Sequence, residues 1–287
     1  MEFAIIGAGR LGTSLGFALV AKGHTLRALT CRRLASARQS RGIIGQGAVL
    51  IDNARAARLA DILFLCLPDE KIPLVAKSLA QTRVAWARKT VFHTSGLLPA
   101  SVLAPLQKKG AAIASFHPVQ SFPLKKTPVS RWAGVYVGIE GDRKACRLAT
   151  TLAHELGARP FFLQAESKPT YHAACSIASG FFIVLLDAAL QLLRDAGIQA
   201  SQSRRLLFPL VEGTLQNVKE LDTPSALTGP VVRGDISSIQ KHLQALSSRP
   251  ELTEAYRSLS RLALKQAKKS GLTQPKIKAL KNLLGGR

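Results

Sequence analysis

Acidic residues are scarce in this chain. Seventeen Asp and Glu stand against 40 Lys and Arg, giving a formal charge of +23 over 287 residues. Aromatics are scarce too, at 6%, and none is interleaved with a basic run as a base-stacking platform would be. Only the stretch from Lys265 to Lys281 is densely basic. A dedicated nucleic-acid partner is therefore not expected, and the surplus charge instead favours an anionic cofactor and substrate. The four cysteines (Cys31, Cys66, Cys146, Cys175) are far apart and form no C-x-x-C. That excludes a disulfide framework and a zinc ribbon, and it fits a reducing cytoplasm. The histidines lack i,i+4 ligand spacing and an accompanying carboxylate cluster, so no metal is expected. No apolar run approaches the ~18 residues needed to cross a bilayer, so no membrane partner is expected. The longest candidate, Ile177 to Leu193, carries Asp187 and Gln191 and reads as a buried helix. The first strand opens at residue 2, so no signal peptide is expected ahead of it.

What is present begins at once. A short apolar strand, residues 2–6, runs into Gly7-Ala-Gly-Arg-Leu-Gly12, and a helical pattern follows over Thr13 to Ala21. In G-x-G-x-x-G the first Gly permits the tight turn and the second lets the backbone approach a pyrophosphate. The third lets helix and strand pack closely, and the phosphate rests on free N–H groups of the helix start. A dinucleotide site is expected on Gly7, Gly9, Arg10, Leu11 and Gly12. The second strand, Thr25 to Thr30, lacks the closing carboxylate that would hold a ribose 2′-hydroxyl. It continues into Cys31-Arg32-Arg33, and a guanidinium fork suits a 2′-phosphate. Thr30, Arg32 and Arg33 therefore point to NADP(H) over NAD(H), with Leu67 and Pro68 lining the same cofactor after the next strand.

Strands and helices alternate to about residue 163. Further strands are expected at 61–67, 90–92, 111–116, 134–139 and 159–163, forming a doubly wound parallel sheet. After Glu166 helical periods take over, from Lys168-Pro169 to Gly197 and then at 201–221, 235–246, 251–270 and 274–284. Two domains are expected, 1–165 and an all-helical 166–287.

Ligands of open α/β sheets bind beyond the carboxyl ends of the strands. Three polar groups fall there: Pro68-Asp69, His93-Thr94-Ser95-Gly96 and His117-Pro118-Val119-Gln120. His93 and His117 are placed to exchange protons beside a nicotinamide. Lys168 and His172 lie four apart and share a helix face. A lysine in a first helical turn opposes the macrodipole, a misfit that suggests function. Tyr171 is expected to point elsewhere and pack.

The joint motifs resemble a known family, the two-domain proteins with a Rossmann-like domain followed by a DUF2520 domain. They are Gly7 to Gly12, His93 to Gly96, Ser115-Phe-His-Pro-Val-Gln-Ser-Phe122, Lys168-Pro-Thr-Tyr-His172, and Ala226 to Asp235 followed by His242. More distantly the layout is similar to pyrroline-5-carboxylate reductases, β-hydroxyacid dehydrogenases and prephenate dehydrogenases. Those proteins pair a Rossmann domain with a helical domain of the 6-phosphogluconate-dehydrogenase C-terminal type. The resemblance implies that Lys168 matches a substrate-facing lysine, with His172 in place of the asparagine four residues later. It also implies that His117-Pro118 matches a catalytic His-Pro, and that the loop Thr228 to Asp235 serves substrate and dimer contacts. Ser179-Gly180 stands where the family often has Asn, which is a departure. The reading is an NADP(H)-dependent oxidoreductase of a small, anionic carbonyl, imine or hydroxy compound. Lys168, His172 and His117 are its candidate catalytic groups, with His93, Ser95 and Arg233 holding substrate. A homodimer through the helical domain is expected. The alternative is an NADPH-binding regulator or scaffold without turnover.

Overall fold

A computed structural model describes residues 1–269 and 271–285. The chain divides into two compact units, Met1–Phe181 and Phe182–Arg287. The first unit alternates strand and helix through β1 (Glu2–Ile6), α1 (Arg10–Ala21), β2 (Thr25–Thr30), α2 (Leu34–Ile44), β3 (Ala48–Leu50) and α3 (Asn53–Arg58). It continues with β4 (Ile62–Leu65), α4 (Ile72–Ala80), β5 (Thr90–His93), α5 (Ala104–Gln107) and β6 (Ala112–Pro118). β7 (Tyr136–Gly141), α6 (Arg143–Glu155), β8 (Arg159–Phe162) and α7 (Lys168–Ser176) complete it. The strands form one sheet in the order β3-β2-β1-β4-β5-β6-β7-β8. The order reverses beside β1, which is the switch point where open sheets bind ligands.

The apolar pattern explains the layering. β4 and β5 are buried at every position, as strands covered on both faces must be. Phe64 stacks on Phe92 (ring centroids 5.1 Å apart) and meets Phe116 and Phe3 edge-on at 5.8 and 6.3 Å. This aromatic row fills one side of the sheet, with α1 and α6 over it. α6 buries Ala145, Ala149, Leu152 and Ala153, one face at helical spacing.

The sheet differs from the sequence expectation in two ways. β3 was not expected, and it has only three residues. β7 runs antiparallel to β6, so the sheet is mixed rather than wholly parallel. Hydrophobic alternation carries no strand direction, which is why the reversal is invisible in the sequence. Gly141 marks it: φ is +141°, and a Cβ there would lie 2.4 Å from the Ile113 carbonyl oxygen.

Residues 166–181, grouped by the sequence with the helices that follow, pack instead with the sheet unit. The second unit comprises α8 (Phe182–Asp195), α9 (Ala200–Glu220), α10 (Thr223–Ala226), α11 (Pro230–Arg233), α12 (Ile236–Ala245), α13 (Pro250–Lys269) and α14 (Gln274–Leu283). The expected end of α13 at Ser270 lies outside the described residues. Every described element here is helical, around a core of Ile239, Leu243, Leu264, Ile277, Leu280 and Leu284.

The expectation of a buried helix over 177–193 is overturned. Residues Ala165–Asp195 are helical throughout, with a π-turn at Ile177–Phe181. An 18-residue window there has mean hydropathy 2.0 and is only 6% buried, so the stretch has the length and composition to cross a bilayer. Apolar composition dictated that this face be covered, but not by what.

Truncating the aromatic row tests this account of the core. Phe64→Ala should lower unfolding free energy by about 3–5 kcal/mol in denaturant titration. A loss below about 1 kcal/mol would mean that the row is not the packed centre of the sheet.

Candidate active site

The glycine loop follows β1. Gly7 adopts φ +95°, and a Cβ there would meet the Cys66 carbonyl oxygen at 2.4 Å. A Cβ on Gly12 would lie 2.6 Å from the Gly7 oxygen. A Cβ on Gly9, by contrast, would meet nothing within 4 Å, so open space faces the backbone there. Gly9 is the N-cap of α1 and offers no side chain to the first helical N–H groups. The N–H groups of Arg10, Leu11 and Gly12 are thus presented to a ligand, as a pyrophosphate requires. These residues fit a dinucleotide.

Thr30 contributes from below. Its carbonyl accepts the Gly7 and Ala8 N–H groups at 3.0 and 2.9 Å, and its hydroxyl donates to Asn53 Oδ1 at 2.7 Å. It is buried and supports the loop. Asn53 was not singled out from sequence, because its partnership crosses 23 residues. Arg32 and Arg33 are exposed at the start of α2, and neither meets a carboxylate among the described residues. Leu67 is half-buried, with its Cδ2 only 2.7 Å from where a Gly7 Cβ would lie, and Pro68 is exposed.

The second cluster forms at the ends of β5 and β6, which pair with His93 opposite Ser115. Lys168, in the first turn of α7, is fully buried. Its Nζ donates to Ser115 Oγ at 2.7 Å and to the Ser95 carbonyl at 3.3 Å. Burial pulls its pKa down to about 8, against the opposing pull of Glu140 and Asp69. Glu140 was not singled out from sequence; it accepts the Ala100 N–H at 2.7 Å.

His117 Nδ1 lies 2.6 Å from the Tyr171 hydroxyl. This corrects the expectation that Tyr171 points away: a helix beginning at Lys168 presents Tyr171, three residues on, near the same face. Burial holds the Tyr171 phenol above its ordinary pKa, so it stays protonated. Burial, then the charge of Lys168, brings His117 down to about 4. His93 falls to about 3 from the same two causes in the same order. Both rings are neutral at pH 7. His93 is fully buried; its Nδ1 accepts the Ser95 N–H at 3.2 Å, while its Nε2 has no well-formed hydrogen bond.

Gly96 is where the histidines meet. A Cβ there would lie 2.7 Å from His117 Cε1 and Nε2 and from His172 Cδ2. The rings of His117 and His172 sit edge to face, 6.0 Å apart. Both border a cavity of about 740 Å³, lined also by Gln120, Ser121, Cys175 and Ser179. The Ser95 hydroxyl accepts the Leu97 and Leu98 N–H groups at 3.1 and 2.9 Å and so shapes the turn. The structure thus brings His93, Ser95, His117, Lys168 and His172 together. Arg233 belongs to the other unit; it is exposed at the end of α11, and its carbonyl accepts from Lys276 Nζ at 3.2 Å.

The Lys168 environment has a measurable consequence. Below about pH 8 the ammonium is charged in both folded and unfolded chains, and burying it destabilises the fold. Between about 8 and the ordinary 10.5 the folded chain has released the proton and the unfolded chain has not. Stability therefore rises with pH across that window. Wild type should gain on Lys168→Met between pH 8 and 10.5 by on the order of 3 kcal/mol in denaturant unfolding. A pH-independent difference would show that the amine is not held out of water.

With this geometry in hand, the comparisons with known proteins agree on the architecture. A Rossmann-like domain model matches residues 1–118, and the model of a domain of unknown function, DUF2520, matches residues 135–263. No curated protein matches the sequence significantly. Among solved structures, a candidate NADP oxidoreductase from Bacteroides fragilis superposes with TM-score 0.80 at 24% identity, over 92% of this chain and 98% of its own. An imine reductase from a Pseudomonas species gives 0.63 at 18% identity, over 97% and 99%. A pyrroline carboxylate reductase from Plasmodium falciparum, solved with NADP bound, gives 0.59 at 12% identity, over 98% of both chains. At these identities the likeness is one of fold. The chain is a two-domain protein combining a Rossmann-like domain with a DUF2520 domain.

Proposed function

We propose that the chain is an NADP(H)-dependent oxidoreductase acting on a small anionic carbonyl, imine or hydroxy compound. One observation carries this reading. Two neutral histidines and a buried lysine converge at the carboxyl ends of β5 and β6, in the same sheet whose switch-point loop fits a pyrophosphate. A nicotinamide bound there would supply the hydride. The chain's own residues supply orientation and the proton. His117 has its Nε2 edge beside Gly96 and lines the cavity, and Tyr171 fixes the ring by engaging Nδ1. His117 and His172 border the cavity, whereas Lys168 is wholly enclosed by Ser115 and Ser95. The geometry therefore favours His117, with His172 beside it, as the group that exchanges a proton with substrate. Lys168 acts through its charge, adding to the burial that keeps His117 neutral. Arg32 and Arg33, without a carboxylate partner among the described residues, support NADP(H) as the cofactor, and four free thiols suit a reducing compartment such as the cytoplasm.

We further propose a homodimer through the helical unit. Ile183 and Val184 of α8 are 60% and 63% exposed, and Leu206 and Leu210 of α9 are 50% and 65% exposed. Exposed apolar side chains on two neighbouring helices suit an interaction site, and a self-complementary pairing of copies covers them simply.

Three measurements test these readings. Thermal-shift titration should show stabilisation by NADPH, about 2.7 kcal/mol at a hundredfold excess over Kd, and Arg32→Ala/Arg33→Ala should lose most of it. No shift with any dinucleotide would end the oxidoreductase reading. Once a substrate is found in an anionic keto, imine and hydroxy panel, His117→Asn should reduce kcat by about 10²-fold or more. An unchanged kcat removes His117 from the chemistry, and NADPH binding without any turnover would indicate a regulator. Sedimentation at micromolar concentration should give a dimer that Val184→Asp/Leu210→Asp dissociates. A monomeric wild type would refute the pairing, and partition into lipid vesicles would point to a bilayer instead.

A further inference from the structure

The segment between β6 and β7 carries Pro123-Leu-Lys-Lys-Thr-Pro128, and its Lys125 reaches across to α2. Lys125 Nζ donates to the Ser36 carbonyl at 3.0 Å, to Ser36 Oγ at 2.7 Å and to Ser40 Oγ at 3.1 Å. All three acceptors are neutral, and no carboxylate pairs with this ammonium among the described residues. These three contacts engage the N–H donors but leave the charge unneutralised, so the ammonium still attracts an anion, which would take over one of the three hydrogen bonds.

Its position matters more than its charge. Ser36 lies in the first turn of α2, three residues past the N-cap Arg33. Ser40, one turn further on, donates to the Ala8 carbonyl at 2.8 Å and accepts from Thr13 Oγ1 at 2.9 Å. The hydroxyl that holds Lys125 is thus bonded to the glycine loop itself. A groove of about 440 Å³ opens here, lined by Arg10, Gln39, Lys125 and Lys126 and by no acidic residue. A dinucleotide whose pyrophosphate rests on the glycine loop has its adenosine ribose beyond β2, with the 2′ position against the start of α2.

We propose that Lys125 is a third cationic contact, with Arg32 and Arg33, for the 2′-phosphomonoester of the dinucleotide, and so a determinant of NADPH over NADH. This rests on the dinucleotide reading above. The β6–β7 segment then does two things at once: its backbone crosses beside the glycine loop, and its lysine reads the feature that separates the two cofactors. The sequence around β2 could not reveal this contact, because Lys125 is 89 residues from Ser36.

Isothermal titration with NADPH and NADH tests it on wild type, Lys125→Met and Lys125→Arg, each first checked for native thermal stability. NADPH affinity should fall about tenfold in Lys125→Met while NADH affinity stays within about twofold. Lys125→Arg keeps the charge and should retain most of the preference. Equal loss of both nucleotides overturns the proposal, since Lys125 would then merely rivet the segment to α2. Unchanged NADPH affinity overturns it as well. A wild type that binds both nucleotides equally overturns it while leaving the dinucleotide site standing. A wild type that binds neither removes that site and this contact together.

Discussion

A single positive charge, buried where three elements meet, constrains the β5–β6 end of the sheet. The Lys168 ammonium is out of water and must be met by oxygen. Strand geometry supplies both partners. On β6, Ala114 and Phe116 turn into the aromatic core, so Ser115 and His117 share the opposite face. The β5–β6 register places Ser115 beside His93, at the point where β5 ends and the Ser95 carbonyl becomes free to accept. α7 brings the lysine in, and its next turn delivers Tyr171 to His117 and His172 to Gly96. Burial holds His93 and His117 neutral, and the same charge adds to that effect. Moving Lys168 would therefore disturb the packing that positions the histidines and remove the secondary contribution to their low pKa values.

The cofactor end follows a different logic. No charge is buried there; the constraint is steric. Gly7 needs a positive φ because the chain turns back from β1 against Cys66, and Gly12 must pass the Gly7 carbonyl. Thr30 holds the turn from below with its carbonyl. The result is a loop whose own N–H groups are tied down and whose Gly9 cap leaves the first N–H groups of α1 without a side-chain partner. Binding there relies on preorganisation, because the backbone donors are already oriented before any anion arrives.

Much of this was legible in the residues, for reasons that can be named. The glycine loop, seven of the eight strands and the polar strand ends carry local signals: glycine spacing, apolar runs and the position after a strand. Lys168 was legible as a misfit with the helix dipole, and it is indeed buried. What escaped depends on distance along the chain. Tyr171 looked like packing because nothing local shows that His117, 54 residues earlier, would sit beside its hydroxyl. Asn53, Glu140 and Lys125 were missed in the same way. β3 has three residues and too little pattern to stand out, and the reversal of β7 has no hydrophobic signature. The helix over 177–193 was misjudged because apolar residues report the need for cover without reporting its source.

Two features of the chain bear on the ligand and the dimer proposed above. Arg10, Lys125 and Lys126 line one groove with no acid among its lining residues, and Arg32 and Arg33 are exposed at the start of α2. α8 and α9 expose Ile183, Val184, Leu206 and Leu210 to water. The remedies differ in kind. Excess positive charge is relieved by a phosphorylated ligand, whose binding weakens as salt screens it. Exposed apolar surface is relieved by contact that salt scarcely affects. These are physically separable properties of the two units, so the salt dependence of ligand binding and of self-association distinguishes them.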